Sequence, residues 1–208
     1  MVSIDNAKAV LKPFFFAPSK AKYIREIAKD CELSYERVQH YLKELEKIKA
    51  VESKTKGKIK EYTLNRKHEL VLKIFSLLEM ERRQAFYAKN PKIGINLQAI
   101  AKDTGAAGIR YVILFGSAAR GEARKESDID LLFVLKQKDD AFEKQLNDLA
   151  KKMEALSGRR FSMHTVSIDE LKSRWKKEPV YTTLWQDHII LYGDEEFWRD
   201  VLEMGEPG

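Results

Sequence analysis

The sequence predicts an α+β chain in which a bridging helix joins a helical N-terminal module to a small mixed α/β domain. Apolar residues follow helical spacing in the first third of the chain, and two short strand-like runs follow around Gly57. Further along, residues 111–115 and 131–135 are all-apolar runs rich in strand formers. We therefore expect a first module over residues 1–66, a bridging helix over 67–94 and a second domain over 95–208.

The distribution of charge supports the division into two modules. Residues 1–66 contain 15 Lys and Arg against 9 Asp and Glu, whereas residues 67–208 contain 23 of each sign. A basic excess confined to one module indicates that this module meets a polyanion. The composition, 44% hydrophobic and 34% charged, excludes a disordered low-complexity chain.

The sequence also excludes several classes of protein. Its longest apolar runs are too short to span a bilayer, and its N-terminus lacks the apolar stretch of a signal peptide, so we expect a cytoplasmic protein with no membrane partner. Cys31 is the only cysteine, which rules out an internal disulfide and a cysteine zinc cage. A bound metal would be held by oxygen or imidazole ligands.

Two serines are predicted to begin helices in the first module. Ser19 precedes apolar residues at helical spacing, and Ser34 precedes a longer helix with a single apolar stripe. The polar side of this second helix presents Arg37, Gln39, His40 and Lys43.

Residues 51–55 and 59–64 read as two strands of a basic hairpin, with Lys54, Lys56, Lys58 and Lys60 around the turn. Three helices followed by such a hairpin resemble the winged helix-turn-helix domain, and that resemblance implies binding to duplex DNA. The predicted DNA contacts are Arg37, Gln39, His40, Lys43, Lys54, Lys56 and Lys58. The alternatives to DNA binding are that the lysine-rich hairpin is merely solvated, or that the module serves dimerisation or protein docking. Binding to palindromic DNA would favour a homodimer.

A helix is predicted over residues 68–87, ending at Asn90 and Pro91, with a short helix over residues 96–102 after it. Its broad apolar face could pack between the modules or against a second copy of the chain. Towards the C-terminus, a helix over residues 142–156 and three core tryptophans, Trp175, Trp185 and Trp198, are expected to cover the sheet.

The chemistry of the second module is predicted from two strand ends. The run 111–115 stops at Gly116 and Ser117, and Asp128 and Asp130 stand at the mouth of the next strand. Residues i and i+2 of a strand share a face, so these carboxylates project together and repel each other unless a cation joins them. Mg²⁺, with Mn²⁺ as the alternative, suits two carboxylates that share it with substrate phosphates. Gly116 lets a phosphate approach the backbone and the Ser117 hydroxyl can hold it, which predicts a nucleoside triphosphate site.

The stretch over residues 114–134, LFGSAARGEARKESDIDLLFV, closely resembles the signature of the polymerase-beta nucleotidyltransferase superfamily, particularly its minimal prokaryotic members related to kanamycin nucleotidyltransferase. The resemblance implies Mg-dependent transfer of a nucleotidyl group from an NTP, such as ATP, to a hydroxyl acceptor. It makes Asp128 and Asp130 the catalytic metal ligands. The predicted nucleotide-binding residues are Gly116, Ser117, Arg120, Gly121 and Ser127.

One departure from this family concerns a third strand, predicted over residues 160–166. Active members usually carry a third carboxylate there, whereas this strand has none and offers Ser162 or His164 in the expected place. The alternative function is therefore a winged-helix transcriptional regulator whose transferase domain senses a nucleotide with little or no turnover. A protein-modifying antitoxin is a third alternative function. A purely structural role is the alternative for Ser127 and Asp128, which could simply cap a turn.

Overall fold

The computed structural model describes residues 2–57, 59–103, 108–124 and 127–207. The chain forms two compact units: unit 1 contains Met1–Leu78 and Trp198–Glu206, and unit 2 contains Glu79–Phe197 and Pro207–Gly208. Residues 198–206 thus group with the N-terminal module, a membership that the linear sequence does not reveal. Within the described residues, no helix is both long enough and apolar enough to cross a membrane.

Unit 1 has the architecture of a winged helix-turn-helix. Its elements in chain order are α1 (Ile4–Leu11), a 3-10 turn (Lys12–Phe14), β1 (Lys22–Tyr23), α2 (Ile24–Asp30), α3 (Tyr35–Lys47), β2 (Val51–Lys56) and β3 (Ile59–Leu64). The strands form an antiparallel sheet in the order β1-β3-β2. The β2–β3 hairpin is the wing, and the predicted strand positions are confirmed.

Of the two predicted helix starts in unit 1, one is right. The Ser34 hydroxyl caps α3 by accepting a hydrogen bond from the Arg37 backbone N–H. The start at Ser19 is wrong, because residues 22 and 23 form a short strand that pairs with β3, and α2 begins only at Ile24. The Glu26 side chain accepts the Tyr23 N–H at 2.8 Å and so stabilises the first turn of α2. The local pattern could not reveal the pairing partner of β1, which lies far along the chain.

Two helices connect the N-terminal elements with the second sheet: α4 (Glu69–Lys89) and α5 (Pro91–Asp103). The predicted long helix is confirmed, but the second helix begins at Pro91 and not near residue 96. Proline suits the first position of a helix because a backbone N–H at that position has no partner within the helix, so its absence costs no hydrogen bond. Pro91 therefore ends one helix and starts the next.

Unit 2 is built on a four-stranded sheet with the order β6-β5-β4-β7. Its strands are β4 (Ile109–Phe115), β5 (Ile129–Leu135), β6 (Phe161–Ser167) and β7 (Ile189–Tyr192), and its further helices are α6 (Gly116–Arg120), α7 (Asp140–Ser157), α8 (Ile168–Arg174), α9 (Pro179–Asp187) and the start of α10 (Asp194–Met204). β5 and β6 run parallel, whereas β4 is antiparallel to both of its neighbours. The three predicted strands are confirmed.

One face of this sheet forms the main core of unit 2. Ile129, Leu131 and Phe133 of β5 pack in one buried cluster with residues of α5 and α7, including Leu97 and Phe142. Because side chains alternate along a strand, Asp130 projects from the opposite face. All three tryptophans are buried, as predicted. Trp198, however, belongs to unit 1, where its ring packs against Phe15 and Phe75.

Candidate active site

Gly116 and Asp130 meet where β4 ends. Phe115, the last residue of β4, pairs with Asp130, and Gly116 follows with a φ of 73°. A Cβ atom on residue 116 would lie only 2.7 Å from Asp130 Oδ2. Glycine is therefore required at this position for two reasons. Its backbone is left-handed, and a side chain would clash with the Asp130 carboxylate.

Asp128 and Asp130 form the acidic part of the site. Ile129 between them is fully buried, while both carboxylates are partly exposed. Burial raises the pKa of Asp130, the nearby Asp128 carboxylate raises it further, and His164 acts in the opposite direction. The two carboxylates thus interact unfavourably, and a cation held between them would relieve this repulsion.

This carboxylate pair suits Mg²⁺. In the part of the chain that the structure describes, no group of three or more His, Cys, Asp or Glu residues is arranged to hold a metal. Mg²⁺ does not need such a cage, since it commonly takes one or two carboxylates and completes its octahedron with waters and substrate phosphates.

The other predicted nucleotide-binding residues lie around α6. Ser117 follows Gly116 in the first turn, and Gly121 ends the helix with a φ of 74° and open space where a Cβ would point. Gly121 thus serves the chain reversal. The Ser127 hydroxyl accepts the Arg124 N–H at 3.0 Å and closes a turn ahead of Asp128, which is the structural alternative for this residue.

Arg120 is held by two carboxylates. Its Nε donates to Glu122 at 2.7 Å and one terminal nitrogen donates to Asp187 at 3.0 Å. Asp187, at the end of α9, is a partner that the sequence analysis missed, since only the fold brings it to α6. To neutralise a phosphate, Arg120 has to give up one of these carboxylate partners, or bind the phosphate and the carboxylates at the same time.

The strand next to β5 adds a hydroxyl and an imidazole to the site. The parallel register pairs Asp130 with Ser162, and Ser162 Oγ lies 3.0 Å from His164 Nε2. The sequence alone offers both Ser162 and His164 for the place of the third carboxylate. The register places Ser162 directly beside Asp130, and His164 is hydrogen-bonded to Ser162.

Residues 98–182, which contain all of these groups except Asp187, match the family model described as a nucleotidyltransferase domain. This segment is similar to nucleotidyltransferase domains. Among curated proteins, none matches the chain significantly. The chain also resembles the solved structure of TrmBL2, described as an archaeal chromatin protein with a novel mode of DNA binding, at 17% identity and a TM-score of 0.28 over 86% of this chain and 70% of that one. A similarity this low carries no argument about function.

Outside residues 98–182, unit 1 displays most of the residues predicted to contact DNA. Arg37, His40 and Lys43 of α3 are exposed, and Gln39 is half-buried. Lys54 and Lys56 are exposed on the wing, and Lys58 lies outside the described residues. Glu46 of α3 accepts hydrogen bonds from Ser53 and Lys60, which fixes the wing against the helix.

Proposed function

We propose that unit 2 transfers a nucleotidyl group from a nucleoside triphosphate to a hydroxyl acceptor in a Mg²⁺-dependent reaction. The observation that carries this proposal is the contact of Asp130 with Gly116, next to a second carboxylate, Asp128. In this reaction the acceptor oxygen bonds to the α-phosphorus, and pyrophosphate leaves with the electron pair of the broken bond. Bound Mg²⁺ supplies charge neutralisation on the phosphates.

Each group at the site has a role in this proposal. Asp128 and Asp130 hold the ion, while Gly116 and Ser117 receive the phosphates at the end of β4. Arg120 adds a positive charge on the phosphate side. Positioning and electrostatic stabilisation account for most of the rate enhancement in such a site, because the protein forms no bond to the nucleotide.

We further propose that unit 1 binds duplex DNA. The support is the basic excess of the first module together with the exposed Arg37, His40 and Lys43 on α3 and the exposed wing lysines. A helix with this polar face suits base edges and phosphates, and lysines on a hairpin suit the phosphate backbone. In this proposal the transferase domain acts in a protein that is also held on DNA.

A second candidate function is a DNA-binding regulator that senses a nucleotide without turning it over. The observation that favours it is the sequence of β6, Phe161–Ser167, which contains no Asp or Glu. In this case the nucleotide site would be intact and pyrophosphate would not be released.

The decisive experiment measures binding before chemistry. Calorimetry with each of four NTPs and Mg²⁺ should show binding to the wild type that is lost in Asp128→Ala plus Asp130→Ala. The matched control is Asp140→Ala plus Asp148→Ala, which removes two exposed carboxylates of α7 that form ion pairs with lysines at 3.5 and 3.7 Å. Pyrophosphate release in the same samples would support the transferase, and binding without release would favour the sensor. Equal binding by wild type and the Asp128, Asp130 variant would overturn the assigned site.

A further inference from the structure

Ser162 lies at the same level of the sheet as Asp130. The two residues are register partners on neighbouring parallel strands, so their side chains project from the same face. His164, two residues further along β6, shares that face, and its Nε2 is within hydrogen-bond distance of Ser162 Oγ. A hydroxyl–imidazole pair therefore lies next to Asp130 of the proposed metal site, with Ser162 as the nearer member.

The proposed reaction requires a proton acceptor, because a hydroxyl must lose its proton as its oxygen attacks phosphorus. Asp128 and Asp130 are poorly placed for this role, since their negative charge is used on the metal ion. β6 carries no carboxylate. A neutral imidazole can accept a hydrogen bond from a serine hydroxyl, and that hydroxyl can at the same time accept one from a further hydroxyl.

We infer that Ser162 and His164 activate the acceptor: the acceptor hydroxyl docks on Ser162 Oγ, and its proton passes through Ser162 to His164 Nε2. This inference rests on the proposed transferase function. The acceptor oxygen forms its bond to the α-phosphorus, and the bond from that phosphorus to the bridging oxygen breaks. The electron pair leaves on pyrophosphate. Ser162 receives the acceptor proton as it gives its own to His164, so it ends the step unchanged.

The first test reads the tautomer of His164 in the full-length protein and needs no turnover. Long-range proton–nitrogen NMR at pH 8, with the signals assigned by loss in His164→Asn, should show the proton on Nδ1 and a bare Nε2. Replacement Ser162→Ala should shift the Nε2 resonance. A proton on Nε2 would overturn the relay, because the imidazole would then donate to Ser162 and could not receive its proton.

The second test uses pyrophosphate release from the NTP that binds in calorimetry, with water and glycerol as probe acceptors. His164→Asn should lower the rate about 100-fold while the Kd for Mg-NTP stays within about twofold. Adding Ser162→Asp to His164→Asn places a carboxylate beside Asp130 and should recover about tenfold in rate. It should also tighten binding of Mn²⁺ alone, measured by calorimetry.

The outcomes of these tests separate the inference from the proposed function. Wild type that releases pyrophosphate at the same rate as His164→Asn would overturn the relay and leave the transferase standing. Intact-mass detection of a nucleotidyl adduct on Ser162 would also overturn it, because Ser162 would then be the acceptor. Wild type that binds Mg-NTP but releases no pyrophosphate with either probe would overturn the transferase and the relay together.

Discussion

The Asp130 carboxylate lies so close to Gly116 at the end of β4 that its Oδ2 atom is 2.7 Å from the position that a Cβ of residue 116 would take. This contact sets the carboxylate against bare backbone, where a metal-bound phosphate can approach both. The conformation of one turn and the position of one candidate metal ligand are thereby coupled.

Replacing Gly116 with alanine should disturb both at once. We expect Gly116→Ala to lose about 1 to 3 kcal/mol of unfolding free energy from backbone strain and to weaken Mg-NTP binding by about tenfold or more, because the methyl group displaces Asp130. Gly158→Ala is the matched control, since Gly158 has a φ of 66° and open space around its Cβ position. Urea unfolding and calorimetry would check this prediction, which fails if both variants bind nucleotide equally.

The ionised carboxylate of Asp130 should lower the free energy of unfolding at neutral pH when no metal is bound. Its pKa is raised above the ordinary value of 3.8 by burial and by Asp128, so the ionised form is disfavoured in the folded state. Asp130→Asn should therefore raise the metal-free thermal midpoint at pH 7, and this gain should shrink as the pH falls towards 3.8. A gain that stays constant down to that pH would contradict the assigned cause.

Addition of Mg²⁺ should reverse this order of stability. At about 100 times its Kd, a ligand that binds only the folded state adds about 2.7 kcal/mol, and this gain should appear in the wild type and be lost in Asp130→Asn. Thermal unfolding at pH 7 with and without Mg²⁺ would measure it. Ca²⁺ at the same concentration tests whether the effect is specific for a small octahedral ion.

Removal of Arg120 should weaken nucleotide binding, because a charged hydrogen bond to phosphate contributes about 1.5 to 3 kcal/mol. We expect a Kd for Mg-NTP about tenfold higher in Arg120→Ala. Arg174→Ala is the control, since Arg174 also pairs with two carboxylates, Glu170 and Glu178. Asp187→Asn should tighten binding by releasing Arg120, and weaker binding in that variant would show that Asp187 positions the arginine for the phosphate.

Glu79 is fully buried beside His188 and accepts the Ile190 backbone N–H at 3.1 Å. Burial opposes its ionisation, but His188 and Arg82 hold its pKa below the ordinary value of 4.5. Its stabilising effect is therefore present above that pH and lost as the pH falls through the folded pKa. Glu79→Ala should cost about 3 to 5 kcal/mol at pH 7, with less cost in acid. Urea unfolding would measure this loss of unfolding free energy, with Glu154→Ala, which removes an exposed carboxylate, as the control.

Binding of unit 1 to duplex DNA should depend steeply on salt. Each phosphate contact removed should lower the slope of log Kobs against log salt by about 0.9, so Lys54→Ala plus Lys56→Ala should lower it by about 1.8. Lys151→Ala plus Lys152→Ala removes two exposed lysines of α7 as the control. Fluorescence anisotropy over a salt series would test this, and a slope near zero in the wild type would count against DNA binding.

The sequence by itself determined the features that depend on neighbours along the chain. Strand alternation predicts that Asp128 and Asp130 share a face while Ile129 enters the core, and the structure has Ile129 fully buried. The N-cap at Ser34 and the lysine-rich hairpin follow from spacings of a few residues in the same way. Such features need only local backbone geometry.

Tertiary structure alone decided which distant side chains meet. It pairs β1 with β3, joins Arg120 to Asp187 and sets Ser162, rather than His164, in register with Asp130. The contacts in unit 2 depend on how helices α7 and α9 return the chain to the sheet, and a shift of one residue in strand register would turn every side chain of β6 to the other face. The periodicity of a strand is a local property, but its register is fixed only when the whole core packs.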